Sequence, residues 1–232
     1  MSFSKFAVIG VGKYGATIAR RLAEKGAQVF CYDNSETKIE AIKDEVAFAV
    51  TLDSTDSKAL ASQNITEMDA AVVAIGENFE ATVLTAVHMM DMGVKRVIAR
   101  ASGDHQKLIL EKIGVKEILT PEDEVAFVVR EQLLNPSILS FLQLPDDYEI
   151  AEIKPPKGTI NRTIEDIDFR NKYQLTLVTI KREYDVKKDG EYTIEKHVIG
   201  VPNSDTTIES RDTLVIFGTA KHVQRFIDVN QI

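Results

Sequence analysis

The chain has 232 residues, and its 28 Lys and Arg against 36 Asp and Glu give a formal charge of −8 at pH 7 and a pI of about 5.1. This acidic balance argues against nucleic-acid binding, because neither half of the chain has the basic excess that a phosphate backbone requires. No stretch approaches the ~20 apolar residues of a membrane-spanning helix, and the length is ample for one or two domains with real cores.

The N-terminal residues and the single cysteine indicate a cytoplasmic protein. Residues 1–6 lead straight into an apolar segment and lack the apolar core and small-residue cleavage site of a signal peptide. Cys31 is the only cysteine, so it makes no internal disulfide, and its apolar neighbours in the sequence favour a place in the core over thiol chemistry.

The first 130 residues alternate short apolar runs with helical patterns, which favours a parallel sheet with helices on both faces. We predict strands at 6–9, 28–32, 47–52, 70–75, 96–99 and 117–119. We predict helices at 14–25, 36–44, 57–63, 77–92, 105–113 and from 120 to about 134. The predicted fold is therefore α/β, with a doubly wound, Rossmann-like N-terminal domain over residues 1–135.

The second half of the chain has a different pattern of predicted strands and helices. Asn135-Pro136 and the segment Leu144 to Asp147 interrupt the pattern, so residues 136–147 are predicted to be a linker. Strands are then expected at 150–153, 175–181, 191–199 and 213–217, and short helices at 164–170 and 220–229. Asp189-Gly190 is a hairpin signal. Residues 148–232 thus predict a small α+β C-terminal domain.

The strongest local signal is the G-x-G-x-x-G sequence from Gly10 to Gly15, which follows the first strand and opens the first helix. In such a loop the first glycine makes the tight turn, the second lets a pyrophosphate approach the backbone, and the third packs helix against strand. Asp33 ends the second strand, where a carboxylate binds ribose hydroxyls and repels a 2′-phosphate. The pattern predicts ATP, ADP or NAD(H) as the ligand, and argues against NADP.

Other candidates follow the later strands, because open α/β sheets bind ligands at the carboxyl ends of their strands. The segment 53–55 suits either an adenine edge or a helix cap, and Arg100 is either a phosphate counter-charge or a surface group. Lys13 offers a cation to a third phosphate, which favours ATP without excluding NAD(H), unless it points into solvent. The candidate nucleotide-binding residues are Gly10, Val11, Gly12, Lys13, Tyr14, Gly15, Asp33, Asn34, Asp53, Ser54, Thr55, Ile75, Gly76, Asn78 and Arg100.

The residues give little support to catalysis. A dehydrogenase needs a proton donor and a substrate pocket, but the four histidines are dispersed along the chain. Tyr184 and Lys188 have the Tyr-x-x-x-Lys spacing of short-chain dehydrogenases, yet they lie in a predicted hairpin and not in a long helix. No catalytic residue is predicted, and an NAD-dependent oxidoreductase remains the alternative function.

The helix after Thr120 is apolar on more than one stripe, and residues 138–144 add further apolar surface. Such a segment must be buried against something, and a subunit interface is the preferred interpretation over packing within one chain.

Together these features resemble the RCK (regulator of potassium conductance) family, and within it the TrkA/KtrA-type cytosolic regulatory subunits of bacterial potassium uptake systems. The resemblance covers nearly the whole chain. Its motifs lie at 6–15, 32–33, 72–78, 110–114 and 121–122. It implies a non-enzymatic, nucleotide-dependent gating subunit that forms homodimers, which assemble into an octameric ring. The partner would be a TrkH/KtrB-like membrane subunit that translocates potassium, and it would hold the ring at the inner face of the cell membrane. A stand-alone nucleotide sensor for another partner is a further alternative.

The resemblance also implies roles for single residues. Lys13 stands where relatives often carry an arginine that reaches the terminal phosphate, and Asp33 matches the ribose-binding acid. Glu122 matches an acid that in some members helps a divalent cation, Mg²⁺ or Ca²⁺, to sit near the nucleotide phosphates across the dimer interface, although it also suits a helix start. In some members the C-terminal domain binds cyclic di-AMP between two protomers, and Arg170 and Pro202 fall in comparable places, although Glu165 puts an acid where an apolar residue would suit a base.

Overall fold

A computed structural model describes residues 4–188 and 191–231 of the chain, which divides into two compact units after Val125. The strands of the first unit are β1 (Lys5–Ile9), β2 (Gln28–Asp33), β3 (Phe48–Thr51), β4 (Ala70–Val73), β5 (Val97–Arg100) and β6 (Glu117–Leu119). They pair in parallel in the order β3-β2-β1-β4-β5-β6. This order confirms the predicted doubly wound, Rossmann-like sheet.

The helices of this half lie close to their predicted places. They are α1 (Lys13–Glu24), α2 (Glu36–Glu40), α3 (Ser57–Ala61), α4 (Phe79–Asp91), α5 (Asp104–Lys112) and α6 (Pro121–Leu134), with 3-10 turns at Lys43–Glu45 and Ile65–Glu67. The predicted helix 36–44 is therefore two shorter pieces. None of these helices, and none elsewhere in the described residues, is both long and apolar enough to cross a membrane.

The sheet is apolar because both of its faces are covered. Ala7 and Ile9 of β1 belong to one buried cluster, whereas Val8 between them belongs to the cluster on the opposite face. Cys31 lies fully buried in that second cluster, and burial raises the pKa of its thiol to about 12. Successive side chains of a strand point to opposite faces, so a strand buried on both sides appears as a continuous apolar run.

The second unit contains an antiparallel sheet with helices on one face. Its elements are β7 (Ile138–Gln143), β8 (Tyr148–Ile153), a 3-10 turn (Lys157–Thr159), α7 (Ile164–Ile167), α8 (Phe169–Tyr173), β9 (Thr176–Lys188), β10 (Glu191–Val198), β11 (Thr213–Thr219) and α9 (Ala220–Asn230). The strand order is β10-β9-β11-β8-β7. Tyr184 and Lys188 both lie on β9, so the dehydrogenase-like spacing is not carried by a helix.

Three expectations about this half need correction or comment. Residues 138–143, expected to belong to the linker 136–147, form an edge strand paired with β8. Asp146 and Asp147 both have φ of 60°, and they form the tight turn between the two strands. The chain also divides after Val125 and not after residue 135. The predicted Asp189-Gly190 turn lies outside the described residues, although β9 and β10 pair antiparallel on either side of it.

Candidate nucleotide-binding site

A cleft of about 720 Å³ opens at the carboxyl edge of the parallel sheet. Most of the predicted residues line it: Gly10, Gly12, Lys13, Tyr14, Asp33, Asn34, Asp53, Ser54, Ile75, Gly76, Asn78 and Arg100. It is also lined by residues outside the predicted set: Ile9, Lys38, Leu52, Ala74, Glu77 and Ala81. Val11, Gly15 and Thr55 do not line the cleft but support residues that do.

In the glycine loop, Gly10 and Gly15 allow the tight backbone conformation, whereas Gly12 leaves open space for a ligand. Gly10 has φ of +88° and donates its N–H to the Tyr32 carbonyl at 2.7 Å. A Cβ on Gly15 would lie 1.9 Å from the Gly10 carbonyl oxygen, whereas a Cβ on Gly12 would meet no atom within 4 Å. The open space at Gly12 borders the N-terminal turn of α1, whose free N–H groups suit an anion.

Asp33 anchors the opposite side of the loop. Its side chain is buried, with Oδ2 accepting the Val11 N–H at 2.8 Å and Oδ1 accepting the Ser35 N–H at 2.9 Å. Lys38 Nζ lies 3.5 Å from Oδ2. A carboxylate has about four acceptor positions, so two N–H donors leave capacity for ribose hydroxyls.

The turn after β3 presents one carboxylate to the cleft. Asp53 is exposed, and it accepts hydrogen bonds from Thr55 N and Oγ1 at 2.9 and 2.7 Å, which lower its pKa. Ser54 is buried and bonds to Thr85 Oγ1 at 2.8 Å. The cap of α3 is Asp56 and not Asp53, so Asp53 is free of the capping role that the sequence left open.

Asn78 has two roles in the structure. It lines the cleft, and its Oδ1 also caps α4 by accepting the Ala81 N–H at 3.0 Å.

Arg100 points into the cleft and not out to solvent. Its guanidinium carbon lies 5.5 Å from the centre of the Tyr14 ring, and its Nη2 pairs with the Glu122 carboxylate. A Cβ on Gly76 would lie 2.5 Å from Arg100 Nη1, so the glycine makes room for the guanidinium. Burial, and the charge of Glu124, raise the pKa of Tyr14.

Glu122 occupies the first turn of α6, where its own backbone N–H and the Arg100 guanidinium lower its pKa. We find no group of three or more His, Cys, Asp or Glu side chains placed to hold a metal ion within residues 4–188 and 191–231. Glu122 is paired with Arg100 in the structure, and the predicted cation site, which would include nucleotide phosphates and a second protomer, stays a prediction.

A second cavity of about 480 Å³ lies in the second unit beside α7, α8 and β9. Its lining includes Arg170, as the sequence suggested, together with Glu165 and Asp168. Pro202 does not line it, so the two residues of the predicted second-ligand site are not brought together in this cavity.

Two family models match the sequence. Residues 6–121 match the TrkA-N domain, and residues 149–230 match the TrkA-C domain. Ktr system potassium uptake protein C of Bacillus subtilis (strain 168) is 31% identical over 222 residues, which are 96% of this chain and 95% of that protein. Ktr system potassium uptake protein A of the same organism is 29% identical over the same shares of the two chains.

Solved structures with a similar fold include the RCK domain of GsuK, with a TM-score of 0.66 at 13% identity over 100% of this chain and 48% of that chain. The GsuK channel bound to NAD aligns with a TM-score of 0.63 at 13% identity, over 100% of this chain and 40% of the channel chain. At this identity the similarity concerns the fold alone.

Proposed function

This chain belongs to the TrkA family, and from that premise we propose that it is the cytosolic regulatory subunit of a potassium uptake system, controlled by a nucleotide in the cleft of its first unit. The family models span both halves of the chain, and the relatives that match over nearly its whole length are potassium uptake proteins.

The observation that carries the ligand proposal is the joint placement of the open Gly12 loop, the Asp33 carboxylate and the Arg100 guanidinium around one cleft. The loop suits phosphates, the carboxylate suits ribose hydroxyls, and the guanidinium adds a positive charge for a phosphate. An adenine nucleotide, ATP or ADP, or NAD(H) supplies all three complements.

We assign this ligand the role of a signal. A nucleotide shifts a conformational equilibrium only by its differential affinity for the two states, so exchange switches a partner when the two nucleotides differ in that preference. The partner that fits is a membrane subunit that translocates potassium, with homodimers of this chain assembled in a ring on its cytoplasmic side. The relatives that match over nearly the whole chain are potassium uptake proteins, which favours a switch over an oxidoreductase.

The proposal does not extend to a cation or a second messenger. The pairing of Glu122 with Arg100 counts against a cation held by one chain. Glu165 and Asp168 place two carboxylates beside Arg170 in the second cavity, and carboxylates repel the phosphodiesters of cyclic di-AMP.

Calorimetric titration of the purified chain with ATP, ADP and NADH tests the ligand proposal. Asp33→Ala removes the ribose acceptor, so we expect the affinity for all three ligands to fall by about tenfold or more. Asp56→Ala is the matched control, because it removes an aspartate that caps α3 outside the cleft. Unchanged affinity of Asp33→Ala for all three ligands would remove the carboxylate from the site.

A flux measurement tests the regulatory role. Membrane vesicles that contain the potassium-translocating subunit should take up potassium at a rate that depends on this chain and on the nucleotide bound to it. Oxidation of NADH by the chain with a small-molecule substrate would instead favour the oxidoreductase.

A further inference from the structure

Arg100 lies between two sites for an anionic group, the Glu122 carboxylate on one side and the cleft on the other. It ends β5, and its side chain is 18% exposed. On one side it pairs with Glu122, and on the other it lies in the cleft against Gly76 and over the Tyr14 ring. The guanidinium is therefore fixed in position by backbone and ring contacts, but its only anionic partner in the described residues is Glu122.

The hydrogen bonding of Arg100 is incomplete in this arrangement. Its Nε is buried and has no hydrogen-bond acceptor among the described residues. A guanidinium carries five N–H donors in a fixed fork, and a buried donor without an acceptor is costly. A phosphate offers the two adjacent oxygens that such a fork binds best.

Glu122 is the group that would lose its partner. It lies in the first turn of α6 with its side chain 55% exposed, so water can solvate the carboxylate once the pair separates. α6 is the helix that runs across the division between the two units. Any change at its first turn therefore acts on the element through which the first unit continues into the second.

We propose that Arg100 is a positioning residue that couples nucleotide binding in the cleft to the start of α6. A phosphate of the bound nucleotide replaces the Glu122 carboxylate as the partner of the Arg100 guanidinium. This inference rests on the proposed binding of a nucleotide in the same cleft. The start of α6 then has two states, one with Glu122 paired to Arg100 and one with Glu122 released. The nucleotide contacts Arg100 only in the second state, and such a difference in contacts lets a ligand shift an equilibrium. Glu122 and the nucleotide phosphate then compete for one cation.

Competition predicts the sign of a mutational effect. Glu122→Gln removes the competing charge, so ADP titrated in the presence of EDTA should bind about two- to fivefold more tightly than to the wild type. Glu124→Gln, which removes the same charge two residues later on α6, is the matched control for long-range electrostatics and should change the affinity less. In an Arg100→Gln background, Glu122→Gln should have no effect.

Three results would count against the proposal in different ways. Weaker or unchanged ADP binding by Glu122→Gln overturns the competition, as does an equal gain in Glu124→Gln. If the wild type binds ATP, ADP and NADH with no measurable affinity, the proposed function itself fails, and this inference fails with it.

Amide hydrogen exchange of residues 122–126 tests whether nucleotide binding changes the start of α6. Saturating ADP should speed amide hydrogen exchange in the wild type toward the rate of ligand-free Glu122→Gln, which lacks the ion pair between residue 122 and Arg100. If ADP binds the wild type but leaves this exchange unchanged, the proposed coupling to α6 is overturned.

Discussion

Lys13 and Arg100 are the two cations that the cleft offers to phosphates, and they differ in how they are held. Lys13 is the exposed first residue of α1, whereas Arg100 is largely buried and held against Gly76 and the Tyr14 ring. A flexible lysine at a helix start can follow a phosphate chain of variable length, but a fixed guanidinium cannot. Lys13 therefore suits the terminal phosphate and Arg100 an inner one.

This difference predicts that Lys13→Ala weakens ATP binding more than ADP binding, by about three- to tenfold in the ratio of the two affinities at low salt. Titration of both nucleotides measures the ratio. Lys25→Ala removes the same charge at the other end of α1 and should leave the ratio near that of the wild type. Equal losses for ATP and ADP in Lys13→Ala would show that the lysine does not distinguish a third phosphate.

At the level of single residues, the sequence predicts groups that are marked by their place after a strand, such as Asp33 and Arg100. It does not predict Lys38, because the approach of Lys38 to Asp33 depends on the turn that begins α2. The sequence offered one weak signal, a lysine five positions after the acid. The pairing of Arg100 with Glu122 depends on where β5 and α6 meet, which residue spacing does not encode.

The glycine loop makes an element-scale prediction from two matched substitutions. Gly15→Ala forces a Cβ against the Gly10 carbonyl, so it should lower the free energy of unfolding by about 1–3 kcal/mol or more. Gly12→Ala should cost less than about 1 kcal/mol, because its Cβ would meet no atom and its φ of −63° suits alanine.

Urea denaturation measures both free energies, and ADP titration completes the comparison. Because the space at Gly12 is where a phosphate approaches, Gly12→Ala should weaken ADP binding about tenfold while the fold remains intact. Wild-type ADP affinity in Gly12→Ala would mean that the phosphates do not pass over this loop.

The hairpin of β7 and β8 carries a buried acid with consequences for pH. Glu149 on β8 is 8% exposed, and its Oε1 is buried without a hydrogen-bond partner in the described residues. Burial, and then the charge of Glu131, raise its pKa above the ordinary 4.5. The folded state therefore binds this proton more tightly than the unfolded state, so its contribution to stability is largest at low pH and is lost as pH rises through the folded pKa.

Glu149→Gln should accordingly raise the melting temperature near pH 7 and remove this part of the pH dependence. Other carboxyl groups, such as Glu117 and Asp166, have lowered pKa values and act in the opposite direction, so the informative quantity is the difference between variant and wild type. That difference should shrink as pH falls from 7 toward 4.5, and Glu191→Gln, an exposed acid on β10, should show no such trend. A difference that is constant with pH would contradict the prediction.

The elements of the parallel sheet were predictable because strands buried on both faces are continuous apolar runs. β7 was not predictable in the same way, because Ile138 is its only buried residue and Pro136 and Pro145 bracket it. Its turn uses Asp146-Asp147 at positive φ, where the common hairpin signals are Asn-Gly and Asp-Gly. Edge position and an unusual turn together made a strand resemble a linker.

At the scale of the whole molecule, α6 is the helix that most needs a partner. No residue of α6 is buried, and Val125, Val129, Leu133 and Leu134 are 61%, 45%, 76% and 70% exposed. Leu142 on β7 adds another apolar side chain that is 60% exposed. Apolar surface of this kind is typical of an interface, and a second copy of the chain is the partner that the proposed homodimer supplies.

Leu133→Glu should therefore weaken self-association at least about tenfold. It removes a leucine whose burial would contribute about 1.5–3 kcal/mol, and it introduces a charge that an apolar interface cannot solvate. Sedimentation equilibrium with and without nucleotide measures the mass and the dissociation constant. Val201→Glu is the control, since Val201 is 88% exposed but lies on the loop after β10, away from the α6 sequence. If Leu133→Glu keeps the wild-type mass while Val201→Glu loses it, the subunit interface lies on the second unit's loops and α6 does not form it.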